Sequence, residues 1–367
     1  MKFSAVHIWM NNAHILFYWL IRYKNLFGGR FPRIETGGSQ DREILKNKMG
    51  RGWLMILWIA ILSACFVLCL AAAAIPLYFS NLIIFPRKVE YKETYALGVK
   101  SGEINPDHFH KIDKEELFID SRHGYQIHGM FFPVENSRKA VIIAHGITWS
   151  LFGSFKYVEM FHKRGYHVLL CDHRYHGLSG GNHTSFGYFE KDDLRAWVDY
   201  LYGTLGNDAL IGLLGESLGA ASSLQYIKED SRVGFCIADC PFSDLTALMR
   251  LRLALDFKIR FSPLILLTSF VTKIRYGWGF REISPIREME KVETPILFIH
   301  GKDDGFIPLQ MSLDLFRKKR KGKKRLYLVE KAGHAQAFLT DRKKYEERVF
   351  DFLQEIEGMQ IERDPAQ

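Results

Sequence analysis

Cysteine is scarce in this chain, five among 367 residues. Cys65 and Cys69 fall in an apolar run, and Cys171, Cys236 and Cys240 lie on or beside expected core strands. Cys236 and Cys240 stand four apart on one strand, roughly 13 Å, beyond the reach of a disulfide. The chain is therefore no disulfide-stapled scaffold, and its cysteines do not settle its compartment. It has no internal repeat and no low-complexity block, which excludes solenoids and biased-composition chains. The formal net charge is +9, yet the basic residues are not interleaved with aromatics, so no nucleic-acid partner is expected. His173, His176 and His183 fall within eleven residues. No cysteine or paired acid completes a tetrahedral set around them, so neither metal nor cofactor is expected, and ordinary loop hydrogen bonding is.

The longest absence is of charge. No Asp, Glu, Lys or Arg occurs from Gly52 to Pro86, and the 23 residues Trp53 to Ile75 are nearly all apolar. At 1.5 Å per residue that is roughly 34 Å, enough for a hydrocarbon core of about 30 Å. Trp53, Trp58 and Tyr78 suit the interfaces, and Pro76 is expected to end or kink the helix. A buried core helix seldom runs this long without a charge. The Ala71–Ala74 run contains a cleavage-like A-x-A, but signal-peptide apolar regions run only about 7–15 residues, which favours an uncleaved anchor. Residues 1–53 carry nine Lys/Arg against three acids, a net of +6. The positive-inside rule then puts the amino end in the cytoplasm and the rest of the chain, on a single-pass anchor in the cell membrane, outside. Ala13–Ile21, nine apolar residues, is too short to span.

What is present is a run of motifs. Ala209–Leu214 reads as a buried strand and Ala220–Tyr226 as a helix; between them stands Gly215-Glu216-Ser217-Leu218-Gly219. Strand, G-x-S-x-G, helix is the setting of a nucleophile elbow, in which only small residues fit beside the serine. Alone the pattern is weak, since Ser and Gly also make ordinary turns. Its partners follow in order. Pro295–His300 is a strand followed by Gly301-Lys302-Asp303-Asp304, and Arg325–Glu330 is a strand followed by Gly333-His334. Ser217 as nucleophile needs a base to take its proton, and His334 needs an acid to fix its tautomer. Asp304 suits the loop spacing H-G-x-x-D-x-x-[VI]-P; Asp303, one residue earlier, and Asp239, at another strand end, are its rivals. Upstream, strand Lys139–Ala144 runs into His145-Gly146-Ile147-Thr148. The N–H groups of Ile147 and Leu218 are the expected oxyanion donors, and His145 is expected to brace the loop. Asp172 and Arg174 are expected to do the same for the loop 172–187.

These segments, with Cys171-Asp172-His173-Arg174-Tyr175-His176-Gly177 and Ile237-Ala238-Asp239-Cys240-Pro241, resemble the α/β-hydrolase superfamily from about Asp113 to Leu353. More closely, the chain resembles membrane-anchored bacterial serine hydrolases akin to the catalytic domain of prolyl-oligopeptidase-type peptidases. The resemblance implies an α/β-hydrolase fold and serine chemistry through an acyl-enzyme, but no substrate. Cleavage of an ester, thioester or peptide acyl bond is one expectation; a non-catalytic scaffold binding a lipid or protein partner is the other, and it has no need of all three residues.

The alternation of strands and helices implies an eight-stranded, mostly parallel sheet with helices on both faces. The expected domains are a basic segment 1–52, an anchor 53–80, a linker 81–112, the hydrolase domain 113–357 and a tail 358–367. A helical cap is inserted at about 243–292, either as a plain covering layer or as a lid over an apolar pocket with an arginine for an acidic group. Arg317 to Arg325 holds eight basic residues in nine. As a solvated helix end it needs no partner. Alternatively it contacts anionic lipid, since a helix returning from a parallel strand ends at the edge away from Ser217. The chain is then expected to arrive from the membrane near that far edge, with the catalytic mouth pointing away from the bilayer.

Overall fold

The computed structural model describes residues 39–363; the apolar run Ala13–Ile21 and most of the basic amino-terminal segment lie outside them. The chain falls into two units, Met1–Ala71 and Ala72–Gln367. In the first, the described residues are helical, and Trp53 to Leu70 present their apolar side chains outward. Helix α1 spans Ser39–Ile84. Its stretch Gly52–Ile84, 33 residues, is long and apolar enough to cross a membrane.

Pro76 does not end this helix. It is buried, as are Phe79, Ser80 and Ile84. The spacing puts them on one face, and packing of that face offsets the hydrogen bond the proline removes. Residues 81–112, expected to be linker, also fold. They form α2, Tyr91–Ser101, and α3, Pro106–Lys111. Helix α2 ends at Gly102 with φ 77°, a left-handed cap that suits glycine. The side chain of Asn105 accepts from the Asp107 and His108 N–H groups to start α3. Tyr91 and Tyr95 pack their rings on Phe152, 4.8 and 5.1 Å away, and Phe109 packs on Phe155 at 5.2 Å. Ile104 and Phe109 are part of the core.

The remainder is a single sheet with helices on both faces. Strands β1 Glu115–Asp120, β2 Gln126–Phe132 and β3 Lys139–Ala144 precede a 3-10 turn, Leu151–Tyr157, and helix α4, Val158–His162. Strand β4 His167–Cys171, helix α5 Glu190–Leu205, strand β5 Leu210–Glu216 and helix α6 Leu218–Tyr226 follow. After β6, Phe235–Asp239, come the cap helices α7, Leu245–Asp256, and α8, Ser262–Tyr276. Strand β7 Ile296–Gly301, helix α9 Leu309–Lys318, strand β8 Lys324–Val329 and helices α10 Ala337–Thr340 and α11 Arg342–Arg363 complete the chain.

The strand order is β1-β2-β4-β3-β5-β6-β7-β8. Only the pairings β1–β2 and β2–β4 are antiparallel. Side-chain alternation divides the core. Val141, Ile143, Leu214 and Ile299 face one way, onto α4 and α11 residues. Ala140, Ile142, Leu213 and Phe298 face the other, onto α5, α6 and α9 residues. Strands β2 to β7 are buried on both faces, as the interior of a mostly parallel sheet requires, whereas the edge strands β1 and β8 are partly exposed.

The carboxyl ends of β3, β5, β6 and β7 form one edge, and the segment 79–86 reaches the domain there, against α7 and α8. That reverses the expected entry at the opposite edge: the apolar stripe of α1 packs against the cap. The basic cluster does sit at the opposite edge, where α9 ends and β8 begins. Most of it is engaged. Lys319 is buried and donates to the carbonyls of Val292 and Thr294 at 2.9 and 2.7 Å. Lys318, Lys321 and Lys323 pair with Glu290, Glu293 and Glu355.

A fragment beginning at residue 113 uncovers Phe152 and Phe155. Compared with one beginning at residue 89, it is expected to lose at least about 3 kcal/mol from the burial of Ile104 and Phe109. In a thermal melt that appears as a fall of about 6 °C or more; equal midpoints would show that α2 and α3 contribute nothing to the fold.

Candidate active site

Strand β5 turns into α6 at Ser217, whose φ of 55° and ψ of −110° lie where side-chain-bearing residues are rare. Strain of this kind is about 1–3 kcal/mol and persists only where surroundings hold it. Here the Ser217 N–H donates to the Asp239 carbonyl oxygen at 2.8 Å, and the Ser217 carbonyl accepts from Ala221 at 3.0 Å. The flanking glycines are required by close approach. A Cβ on Gly219 would fall on the carbonyl oxygen of Ala144, and one on Gly215 on the Gly219–Ala220 backbone.

The structure brings Ser217, His334 and Asp304 together. The Ser217 Oγ lies 2.9 Å from His334 Nε2, and His334 Nδ1 lies 2.7 Å from Asp304 Oδ2. His334 sits on the loop after β8, whose backbone turns through left-handed Lys331 and Ala335. Its side chain is 24% exposed, whereas that of Asp304 is wholly covered. Asp304 Oδ1 accepts from the N–H groups of Phe306 and Ile307 at 2.8 and 2.9 Å. His300 Nε2 lies 3.2 Å from Asp304 Oδ2 and donates to the Ile307 carbonyl at 2.9 Å. Burial acts to raise the Asp304 pKa, but the hydrogen bonds from His300 and His334 outweigh it and hold the carboxyl well below its usual range. Asp304 therefore stays anionic in acid, and the pair it forms is lost only as pH falls through that depressed value.

The rivals lie elsewhere. Asp303 is exposed. Asp239 is fully buried under the elbow and accepts from the Tyr345 hydroxyl at 3.1 Å. Burial, and then Glu216, push its carboxyl up to about 6. Beside it is a charge cluster that the motifs did not reveal. Lys156, almost wholly buried, lies 2.9 Å from Glu216 and 3.3 Å from Glu103, and the Tyr157 hydroxyl donates to Glu216 at 2.9 Å. Burial acts to lower the Lys156 pKa, but the two carboxylates reverse this and raise it. Glu216 is the variable residue of the elbow, and Glu103 comes from the α2–α3 connection. Nothing in the sequence signals that these three meet.

The histidines and Asp172 brace their loops by hydrogen bonding as expected, whereas Arg174 does not: its buried Nε and Nη1 find no partner among the described residues, and it packs on aromatic rings instead. The His173 N–H donates to His145 Nε2 at 3.1 Å, and His173 Nε2 lies 3.0 Å from the His145 carbonyl oxygen. Burial, and then the neighbouring histidines, depress both rings below the usual imidazole range. His176 accepts from the Thr148 N–H at 3.2 Å and His183 from the Trp278 indole at 3.3 Å. Asp172 accepts from Leu151 N–H at 2.7 Å and Leu178 N–H at 3.0 Å and pairs with His128 at 2.6 Å. His128 in turn meets Glu116 at 3.0 Å. The Arg174 guanidinium lies over Phe189 and Tyr125, 4.4 and 5.1 Å from the ring centres.

Ser217 opens into a cavity of about 270 Å³ whose lining is mainly apolar. Ile147 and Leu218 line it beside the serine. The cap supplies Leu248, Leu253 and Phe257, and the end of α1 supplies Phe79, Leu82 and Ile83. The second wall was not legible, because those residues read as anchor and linker. The one cap arginine in the lining, Arg252, is already bonded to Asp256 and, at 3.1 Å, to the Gly305 carbonyl. Arg250, Lys258 and Arg260 do not line the cavity.

Replacing Asp239 by Asn separates the two aspartates. A carboxyl raised from 3.8 to about 6 by burial binds its proton more tightly in the folded state, so the intact protein loses stability as pH rises through that interval. Asp239→Asn is expected to abolish that part of the decline in melts between pH 4 and pH 7. A variant that follows the parent's decline throughout would show that another group causes it.

The family profile described as "serine aminopeptidase, S33" matches residues 135–284. The uncharacterized protein YqkD of Bacillus subtilis is 37% identical over 295 residues, covering 80% of this chain and 96% of that protein. Among solved structures, the Pyrococcus furiosus esterase Pf2001 superposes with a TM-score of 0.56 at 24% identity, over 69% of this chain and 95% of its own. The acylaminoacyl peptidase of Pyrococcus horikoshii gives 0.52 at 16% identity, over 67% of this chain and 42% of its own. Those last two likenesses are of fold, and the closer resemblance to prolyl-oligopeptidase-type domains rests on fold alone. With its sheet order, its elbow and its extensive identity to YqkD, the chain belongs to the α/β-hydrolase superfamily.

Proposed function

We propose that the chain is a membrane-anchored serine hydrolase that cleaves an ester, thioester or amide with an apolar acyl group. The observation that carries the reading is the continuous relay from Asp304 through His334 to Ser217, opening into an apolar cavity. The Ser217 hydroxyl attacks the acyl carbon as its proton passes to His334 Nε2. Asp304, kept anionic, holds the ring through Nδ1 and stabilises the imidazolium. The N–H groups of Ile147 and Leu218 receive the oxyanion, with the amino end of α6 behind them. The imidazolium returns its proton to the leaving oxygen, sulfur or nitrogen as the carbonyl re-forms, leaving an acyl-serine. Water, deprotonated by the same imidazole, then attacks the acyl carbon, and the imidazolium returns the proton to Ser217 Oγ as the acid leaves. In this reading the helix Gly52–Ile84 serves as a single-pass anchor, and the amino-terminal excess of Lys and Arg supports a catalytic unit outside the cell.

A fluorophosphonate probe is expected to label the full chain at Ser217 and to leave Ser217→Ala unlabelled. An adduct on another serine in that variant would remove the assignment. In an acyl-ester assay His334→Ala and Asp304→Asn should each lose about 10³-fold or more in kcat; Asp239→Asn should stay near the parent. Inactivity of Asp239→Asn with an active Asp304→Asn would exchange their roles.

Protease added to intact cells should digest the carboxy-terminal unit. Protection until lysis would reverse the topology, and a mature chain starting near Ala74 would make the apolar run a cleaved signal.

A further inference from the structure

Helix α8 has two unlike faces. Leu264, Ile265, Thr268 and Thr272 are buried in the cap. Leu267, Phe270 and Ile274 point outward with 45, 61 and 69% of their surface exposed, and Phe261, just before the helix, has 61%. The 267-270-274 spacing is one helical stripe. Large apolar side chains grouped in this way on a surface mark an interaction site.

The stripe has a neighbour. The hydroxyls of Thr272 and Ser80 meet at 2.9 Å, and Arg275 donates to the Asn81 side-chain oxygen at 2.6 Å. Phe257, before α8, packs on Phe79 at 5.0 Å, and Tyr276, at its end, packs on Phe85 at 6.0 Å. The helix thus lies against residues 79–85, which with Leu77 and Tyr78 expose further apolar surface at Leu77, Tyr78, Leu82 and Phe85. Lys258 and Arg260 are exposed at the start of the stripe, and neither has an acidic partner among the described residues. Arg275 stands at its other end, beside Lys273, which pairs with Glu282 at 3.1 Å.

We propose that this face, the outer stripe of α8 together with residues 77–85, beds into a lipid bilayer, and that the acyl group to be cleaved enters the Ser217 cavity from that bilayer. Three observations select lipid as the occupant. Residues 77–84 of the face belong to a stretch, Gly52–Ile84, that is long and apolar enough to cross a membrane. Exposed cations border it, as anionic head groups favour. Phe79, Leu82 and Ile83 wall the cavity on the same side, so a hydrocarbon chain meets apolar surface from the bilayer to the serine. The substrate half of the proposal rests on the serine-hydrolase reading; the membrane half does not. Its consequence is the reverse of the orientation expected from the basic cluster, whose charges are mostly paired at the far edge.

The test uses the full chain reconstituted in phosphatidylcholine–phosphatidylglycerol vesicles. Phe270→p-benzoylphenylalanine and Ile274→p-benzoylphenylalanine are expected to give lipid adducts on irradiation, and Arg320→p-benzoylphenylalanine none. Adducts at position 320 but not at 270 and 274, no adducts at all, or crosslinks from 270 to a second copy of the chain would each overturn the membrane half. In the second arm, Phe270→Ser with Ile274→Ser should slow hydrolysis of a long-chain p-nitrophenyl ester dissolved in the vesicles about tenfold or more, with p-nitrophenyl acetate cleaved at the parent's rate. Equal loss on both esters, or loss on neither, would overturn entry from the bilayer. Should the parent cleave neither ester, the serine-hydrolase reading and the substrate half fall together, and the adduct pattern still decides the membrane half.

Discussion

The backbone of Ser217 is held in a conformation that a serine does not choose, and the site is arranged around that constraint. A turn this sharp lets β5 deliver a hydroxyl clear of the sheet and start a helix at the next residue. It forces Gly219 against the carbonyl of Ala144, which draws β3 and its following loop to the same spot. It takes its own N–H bond from the end of β6. Three strands are therefore committed to one residue before His334 or Asp304 arrives, which is why those can come from distant loops and still meet it.

The second commitment is electrostatic. Asp304 receives two backbone N–H groups and faces two imidazoles, so its charge is settled by its own loop. Asp239, one strand away, is covered but short of donors, and its Oδ1 has no partner among the described residues. Both end strands in the same sheet. Hydrogen bonding to the charged form separates them, depressing one carboxyl while burial raises the other.

Much of this was legible. Short apolar runs marked the strands at Lys139–Ala144, Ala209–Leu214, Pro295–His300 and Arg325–Glu330, and the order of the motifs anticipated which residues would approach one another. Residues on strand ends and tight loops can be read because their spacing is dictated by local geometry. The rest depended on long-range packing that leaves no local mark. Pro76 marks a helix end by propensity, but burial of the stripe at Phe79 and Ile84 overrides it. Tyr91, Tyr95 and Phe109 are apolar at unremarkable spacing, and only the Phe152 and Phe155 surface makes a core of them. Lys156 reads as a surface lysine until Glu103 and Glu216 arrive from elsewhere. The cap was placed by the gap between strands, but its partner wall was hidden in residues that composition assigns to an anchor.

Two of the carboxylate–imidazole pairs are of almost equal length, Asp304–His334 at 2.7 Å and Asp172–His128 at 2.6 Å. What differs is the far nitrogen of each ring. His334 meets a hydroxyl and keeps a quarter of its surface open, whereas His128 is wholly enclosed and ends at Glu116. The second pair is thus a dyad with no nucleophile and no path for a substrate: the same bond serves as a rivet between a strand and a loop. The proposed proton relay and the structural fastener are built from identical parts, and only the occupant of one nitrogen and its access to solvent tell them apart.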